Sequence, residues 1–342
     1  MAFRALVIGV GTYEANSGMS GYPTIETSAR AYGDALARDP RWGDAARSVI
    51  LSDGAAHSAD GVMRALHDAA SAGEGPEDTL LVVYVGHGAY WKDVPGGQVH
   101  FAVGSSHQNE PWTWLSSWYV YRAIRQSRAG LKVLITDCCY SNMLPHLGQE
   151  SPLPGILGTR SDGTCVFSAV SGNVHNASAD ACANLPSPLD GCTPFSGHLL
   201  NVLGQGMSEH DDDLTLGALR AGIDEGMQSC GVHDAPRMLL NDASEAAALF
   251  TNHAKGRRPP GREPQTEDDW VRELRLYGER KLRSLMLKPD LAGRVVVRLK
   301  SGDEQSRDLA GRVERSAATL LSNPVDFVRY WGEIEPALLG GT

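Results

Sequence analysis

Two short runs of the chain end in side chains that could do nucleophilic chemistry. The first is Leu80-Leu81-Val82-Val83-Tyr84-Val85-Gly86-His87-Gly88, and the second is Lys132-Val133-Leu134-Ile135-Thr136-Asp137-Cys138-Cys139-Tyr140-Ser141. Continuous apolar runs of strand length are expected of strands buried on both faces of a parallel sheet. Ligands bind beyond the carboxyl ends of such strands. If the two runs are neighbours, one sheet edge receives a histidine and a cysteine, and a base beside a thiol produces a strong nucleophile.

Each residue also has an ordinary reading. Glycines on both sides of His87 permit a sharp turn or the close approach of another backbone. A free cysteine is usually a small buried hydrophobe. The spacing joins them, because His87 precedes Cys139 by 52 residues, close to the interval of about 50 between histidine and cysteine in caspases.

Tyr84-Val85-Gly86-His87-Gly88 resembles the Tyr-Ser-Gly-His-Gly of metacaspases and bacterial caspase-like peptidases. Asp137-Cys138-Cys139-Tyr140-Ser141-Asn142 resembles their Asp-x-Cys-[His/Tyr/Phe]-Ser-Gly. Arg4–Val10 is similar to their first strand, and Pro194-Phe195-Ser196-Gly197 to the Pro-Phe-Thr element that opens a later helix. The likeness covers roughly residues 3–250 with the elements in order. It implies a caspase-haemoglobinase fold, α/β, with a six-stranded, mostly parallel sheet between helices.

The resemblance also implies roles. Cys139 would attack the scissile carbonyl, His87 would act as general acid and base, and the backbone N–H groups of Gly88 and Cys139 would hold the oxyanion. Cys138 is the adjacent alternative, expected to point the other way and pack. Asp137 would line the S1 pocket and recognise Arg or Lys; its ordinary reading is a strand-end Asp making local hydrogen bonds. Ser28 falls where the family often places a second S1 acid. Asn142 replaces the usual glycine, and Asn tolerates left-handed geometry. Residues 142–164 correspond to the segment where family members self-cleave, which makes Arg160 the autoprocessing candidate. No cofactor is expected, with calcium open as an activator because many metacaspases need it. Asp211-Asp212-Asp213 reads instead as an acidic turn before a helix at Leu214, favourable to the helix dipole.

The positioning elements follow from the pattern. Strands are expected at Arg4–Val10, Ser48–Leu51, Thr79–Val85, Lys132–Thr136, Cys165–Ala169 and Arg237–Leu240. Helices are expected at Thr27–Ala37, Ser58–Ala72 (capped by Ser58 or Asp60), Trp118–Ser127, Phe195–Leu203 and Thr215–Met227. Their alternation predicts a parallel sheet with helices on both faces. Residues 90–118, with Trp91, Trp112, Trp114 and Trp118, read as a small hairpin covering the sheet edge. The peptidase domain is expected over 1–252, a linker over 253–265, and over 266–342 a small, mostly α module through which a protein partner would act.

Charge is uneven. Residues 1–252 hold 14 Lys+Arg and 27 Asp+Glu, net −13, and residues 253–342 hold 17 and 14, net +3. The acidic body argues against nucleic acid as a partner and suits basic peptide or protein substrates. No run approaches 18 apolar residues, so no membrane span is expected. Met1–Gly9 lacks the marks of a signal peptide, which predicts a cytoplasmic chain with reduced thiols. Among the six cysteines there is no CxxC pair and no Cys/His spacing suited to zinc, so no metal site is expected. Cys182 and Cys192 read as free loop cysteines, and His100, His107, His175, His198 and His233 as surface or loop histidines. Gly9-Val10-Gly11-Thr12 starts like a dinucleotide fingerprint but has Glu14 where the third glycine belongs. An α/β-hydrolase using Ser141 or Ser171 lacks the GxSxG elbow. The remaining non-enzymatic alternative is a caspase-like scaffold acting through its C-terminal module.

Overall fold

A computed structural model describes residues 2–256 apart from 44–45, 72–74, 93–96, 145–162, 171–175, 209, 211, 231–235 and 242. The chain divides into two units, Met1–Arg258 and Pro259–Thr342; the first is described. The expected 266–342 module, Arg160, Ser171, His175 and His233 lie outside the described residues.

In chain order the elements are β1 (Phe3–Val10), α1 (Pro23–Arg38), β2 (Ala46–Leu51), α2 (Ala59–Ser71), β3 (Thr79–Gly86), β4 (Gly88–Trp91), β5 (Gln98–Phe101), β6 (Leu115–Ser116), α3 (Ser117–Gln126), β7 (Leu131–Asp137), β8 (Thr164–Ser168), α4 (Pro194–Gln205), β9 (Asp213–Thr215), α5 (Leu216–Cys230), β10 (Arg237–Asn241) and β11 (Ala248–Thr251). Six strands form the main sheet in the order β10-β8-β7-β3-β1-β2. All its pairings are parallel except that of β10 with β8. This is the six-stranded, mostly parallel sheet between helices expected from the sequence.

Side chains of a strand alternate between faces, and here the alternation sorts two cores. Leu81, Val83 and Val85 of β3 and Val133 and Ile135 of β7 pack with α1, α4 and α5. Leu80, Val82, Tyr84 and Leu134 pack with α2 and α3 on the opposite face. Every residue of β3 is buried, and each such Val or Leu contributes about 1.5–3 kcal/mol. The two central strands therefore give their carboxyl ends a stiff base. Helix α2 is capped as expected, with the Gly61 N–H donating to Ser58 Oγ at 3.1 Å.

Several expectations are corrected. The expected hairpin is present as β4 and β5, paired antiparallel, and β6 adds a third strand, but it does not cover the edge of the main sheet. Val99, Phe101 and Leu115 pack it into the α2–α3 core, whereas the edges of the main sheet are β2 and β10. Asp213 opens a short strand rather than an acidic turn, because its carboxylate pairs with Arg41 and β9 pairs with β11; the helix begins only at Leu216. His100 and His198 are buried, at 5% and 6% exposure. Close packing accounts for the Gly9 and Gly11 pair, since a Cβ would stand 2.5 Å from Ala29 Cβ at Gly9 and 2.6 Å from the Tyr22 carbonyl oxygen at Gly11. Beyond β11, His253–Gly256 form a further turn with Ala254 buried. Among the described residues no helix is long and apolar enough to cross a membrane.

Candidate functional site

β3 and β7 are parallel neighbours, with Val85 level with Asp137. His87 and Cys139 each follow two residues later, so the register delivers both to the same sheet end. The glycines around His87 are required by contact. A Cβ on Gly86 would lie 2.5 Å from Tyr84 Oη, and one on Gly88 only 2.1 Å from the Cys139 carbonyl oxygen. Both approaches are shorter than real Cβ contacts. Gly88 thus lets the chain after β3 lie directly against the chain after β7, and places the two backbones expected to hold an oxyanion side by side. The His87 carbonyl is anchored by the Tyr84 hydroxyl at 2.8 Å and the Ala102 N–H at 3.0 Å.

The His87 ring is held as well. Nε2 stands 2.8 Å from the Ser20 carbonyl oxygen. A carbonyl only accepts, so Nε2 carries the hydrogen and the neutral ring keeps its lone pair on Nδ1. Tyr13 and Tyr22 flank the ring, with centroids 5.5 and 5.6 Å away. Ser20 belongs to the loop after β1, which is tied down through Tyr22 N to the Gly11 oxygen, Gln108 N to the Ser17 oxygen and Glu14 N to the Gly104 oxygen.

Cys138 is 1% exposed and packs in the α2–α3 core. Cys139 is half-buried, and its thiol donates to the Ala177 carbonyl at 3.7 Å. The next residue, Tyr140, has φ 59° and ψ 11°. This left-handed turn costs a non-glycine residue about 1–2 kcal/mol, which is small against the burial that fixes β7. The left-handed position expected at Asn142 is therefore at Tyr140. Asn142 lies in the single turn Ser141–Met143, with the Arg237 guanidinium on its carbonyl oxygen.

Burial raises the Cys139 thiol above its ordinary value of 9.0, and the nearby Asp137 carboxylate adds to the rise. This direction favours the thiol over the thiolate, which calls for a proton acceptor during attack. We expect the rate of Cys139 alkylation by iodoacetamide, followed by peptide mass spectrometry, to climb about tenfold per pH unit from 6 through 9. A plateau between pH 6 and 8 would instead show a thiolate–imidazolium pair formed at rest.

Asp137 is 3% exposed. Its Oδ2 accepts from Thr193 Oγ1 at 2.6 Å, Ser196 Oγ at 2.6 Å and Ser196 N–H at 3.2 Å. The last is an otherwise unpaired amide of the first turn of α4, where a carboxylate is favoured by the helix dipole. Thr193 occupies the N-cap position but makes no cap bond itself, its hydroxyl being given to Asp137. Ser28 joins the same network: its Oγ accepts from Thr193 N–H at 2.9 Å and lies 3.1 Å from Thr193 Oγ1. Desolvation raises the Asp137 pKa, and these hydrogen bonds partly counter it. No cation pairs with Asp137 among the described residues.

The structure thus brings His87, Gly88 and Cys139 to one sheet end, and joins Asp137 to Ser28 through Thr193. Ser20, Ala177, Thr193 and Ser196 were missed in the sequence. The first two act through backbone carbonyls, which carry no sequence signal. Thr193 and Ser196 were findable as the start of a helix, where hydroxyl side chains collect.

No protein-family model and no curated protein matches the chain. Solved structures resemble it at low identity, among them these two. One is a protein from Geobacter sulfurreducens, with TM-score 0.47, 14% identity, and coverage of 70% of this chain and 93% of that one. The other is caspase-1 from Spodoptera frugiperda, with TM-score 0.47, 11% identity, and coverage of 72% and 90%.

Proposed function

We propose that the chain is a caspase-like cysteine endopeptidase that cleaves after Arg or Lys. The observation that carries this reading is the His87 ring, fixed by the Ser20 carbonyl so that Nδ1 is left as the base, just beyond the end of β3, whose neighbour β7 ends two residues before the half-buried Cys139. Cys139 Sγ attacks the scissile carbonyl carbon while its proton passes to His87 Nδ1. The oxyanion is held by the Gly88 and Cys139 N–H groups. His87 then protonates the departing amine, the C–N bond breaks, and a thioester remains on Cys139. Water, deprotonated by His87, hydrolyses the thioester and restores the thiol. The buried Asp137 carboxylate, without a cationic partner among the described residues, supports a basic P1 side chain. A regulated role in bacterial conflict or cell-death signalling, with a protein partner at 266–342 and processing at Arg160, follows from the resemblance of the sequence.

The test is a peptide library treated with wild type and Cys139→Ala, with and without calcium, and read by mass spectrometry. Cuts after Arg or Lys that vanish in the variant are expected. Cuts after another residue would keep Cys139 and remove the role given to Asp137. The alternative is a catalytically silent scaffold, and it is favoured if nothing is cut and a thiol-reactive peptide probe leaves Cys139 unlabelled.

A further inference from the structure

Away from this site, the fold gathers three soft or imidazole donors that lie far apart in sequence. Cys182 is in the loop before α4, His198 on α4, and Cys230 at the end of α5. Cys182 Sγ is 3.5 Å from Cys230 Sγ and 3.9 Å from His198 Nε2, and the three ligand atoms all lie within 4.8 Å of one another. Zinc–sulfur bonds of about 2.3 Å and zinc–nitrogen bonds of about 2.0 Å at tetrahedral angles require ligand separations of about 3.5–3.8 Å. Two of the three separations, 3.5 and 3.9 Å, are close to that, the third pair lies within 4.8 Å, and the sulfurs stand well beyond the about 2.05 Å of a disulfide.

The surroundings suit a metal. A Cβ on Gly226 would stand 3.0 Å from His198 Nδ1, so glycine there leaves room for the ring. Asn184 Nδ2 donates to Cys230 Sγ at 3.1 Å, an outer contact of the kind that steadies a metal-bound thiolate. Cys182 and His198 are buried while Cys230 is half-exposed, which gives an ion a way in.

We infer that Cys182, His198 and Cys230 form a zinc site. Binding takes Zn²⁺ from solution and releases two thiol protons to it. Two thiolates and one neutral imidazole then hold the ion, a water takes the fourth position, and the site has no net charge, as burial favours. Thiolate and imidazole select zinc over calcium or magnesium, so this site is separate from any calcium activation. It fastens the loop that bears Ala177 and Ala179, whose carbonyl oxygens accept from Cys139 and from Thr24, to α4 and α5. The inference does not depend on peptidase activity.

The full chain is loaded with zinc under reducing conditions, passed through gel filtration, and assayed for metal. We expect about one zinc per chain, a melting temperature about 5 °C or more above that of the chelated protein, and a thiolate-to-metal charge-transfer band on cobalt substitution. Cys230→Ser, at a half-exposed helix end, should lose the zinc and the band. Cys192→Ser, a buried neighbour outside the cluster, should retain both. Zinc below about 0.1 per chain after loading, cobalt without the thiolate band, equal zinc loss from Cys192→Ser, or a Cys182–Cys230 disulfide that forms in preference to zinc binding would each overturn the proposal.

Discussion

His87→Ala should lower kcat/KM on a cleavable peptide by about 10³-fold, within the range supplied by a positioned general acid and base. Burial pushes the Cys139 thiol up, so in the proposed mechanism the lost ring is the proton's destination in the first step and its source in the second. Adding Cys139→Ala should take the activity no lower than Cys139→Ala alone, because groups that act in one step are not additive. A structural role predicts something else. The His87 carbonyl is held by Tyr84 and Ala102, which the substitution leaves in place, so the melting temperature should change by only a few degrees. Alkylation of Cys139 at alkaline pH, where solvent hydroxide removes the thiol proton without the ring, should match wild type. A loss below tenfold in turnover, or equal losses in turnover and high-pH alkylation, would remove His87 from the proton path.

The parts of this site that were legible in the sequence are those written in side chains on strands. The runs at Thr79–Gly86 and Leu131–Asp137 are mostly apolar and almost wholly buried because both faces of a central parallel strand are covered. The central strands are legible for that reason, and with them the sheet end that carries His87 and Cys139; the edge strands β2 and β10 are partly exposed and legible only from their place in the strand–helix alternation. The Gly-His-Gly motif was also legible as a place of close backbone approach, which the Gly88–Cys139 contact provides. The partners that set protonation were not legible. The Ser20 carbonyl that fixes the His87 tautomer and the Ala177 carbonyl beside Cys139 are backbone groups in irregular loops. Helix-bound His198 looked like a surface residue because its burial depends on where α5 and the 176–192 loop come to rest. Cys182 and Cys230 lie 48 residues apart, too far for any local ligand motif. The acidic triplet misled for a related reason: its one described strand residue, Asp213, answers to Arg41, 172 residues earlier.

Asp137 holds the start of α4 and is proposed to receive a basic P1 side chain; ordinary mutagenesis would confuse the two, and a pair of substitutions should separate them. Asp137→Ala leaves the Thr193 hydroxyl, the Ser196 hydroxyl and the Ser196 N–H without their acceptor in a buried place. That should cost about 3 kcal/mol of stability, through unsatisfied donors. Asp137→Asn keeps one oxygen for these donors, removes the charge and puts an NH2 donor in place of the other oxygen. Its stability should stay within about 1 kcal/mol of wild type, because the desolvation that raises the Asp137 pKa already weighs against the ionised form. The sign can be followed with pH. A carboxyl raised in the folded state binds its proton more tightly there than when unfolded, so wild-type stability falls as pH rises from the ordinary carboxylate range through the raised value. Asp137→Asn should therefore gain on wild type as pH rises above the ordinary carboxylate range in denaturant unfolding. Recognition should move the other way. Without the carboxylate a P1 Arg or Lys loses its buried counter-charge, worth 2–5 kcal/mol at interfaces, so kcat/KM on basic peptides should fall about 10²-fold or more. A stable Asp137→Asn enzyme with unchanged preference for Arg and Lys would leave the carboxylate as the cap of α4 alone. The basic pocket would then have to be sought elsewhere around Cys139.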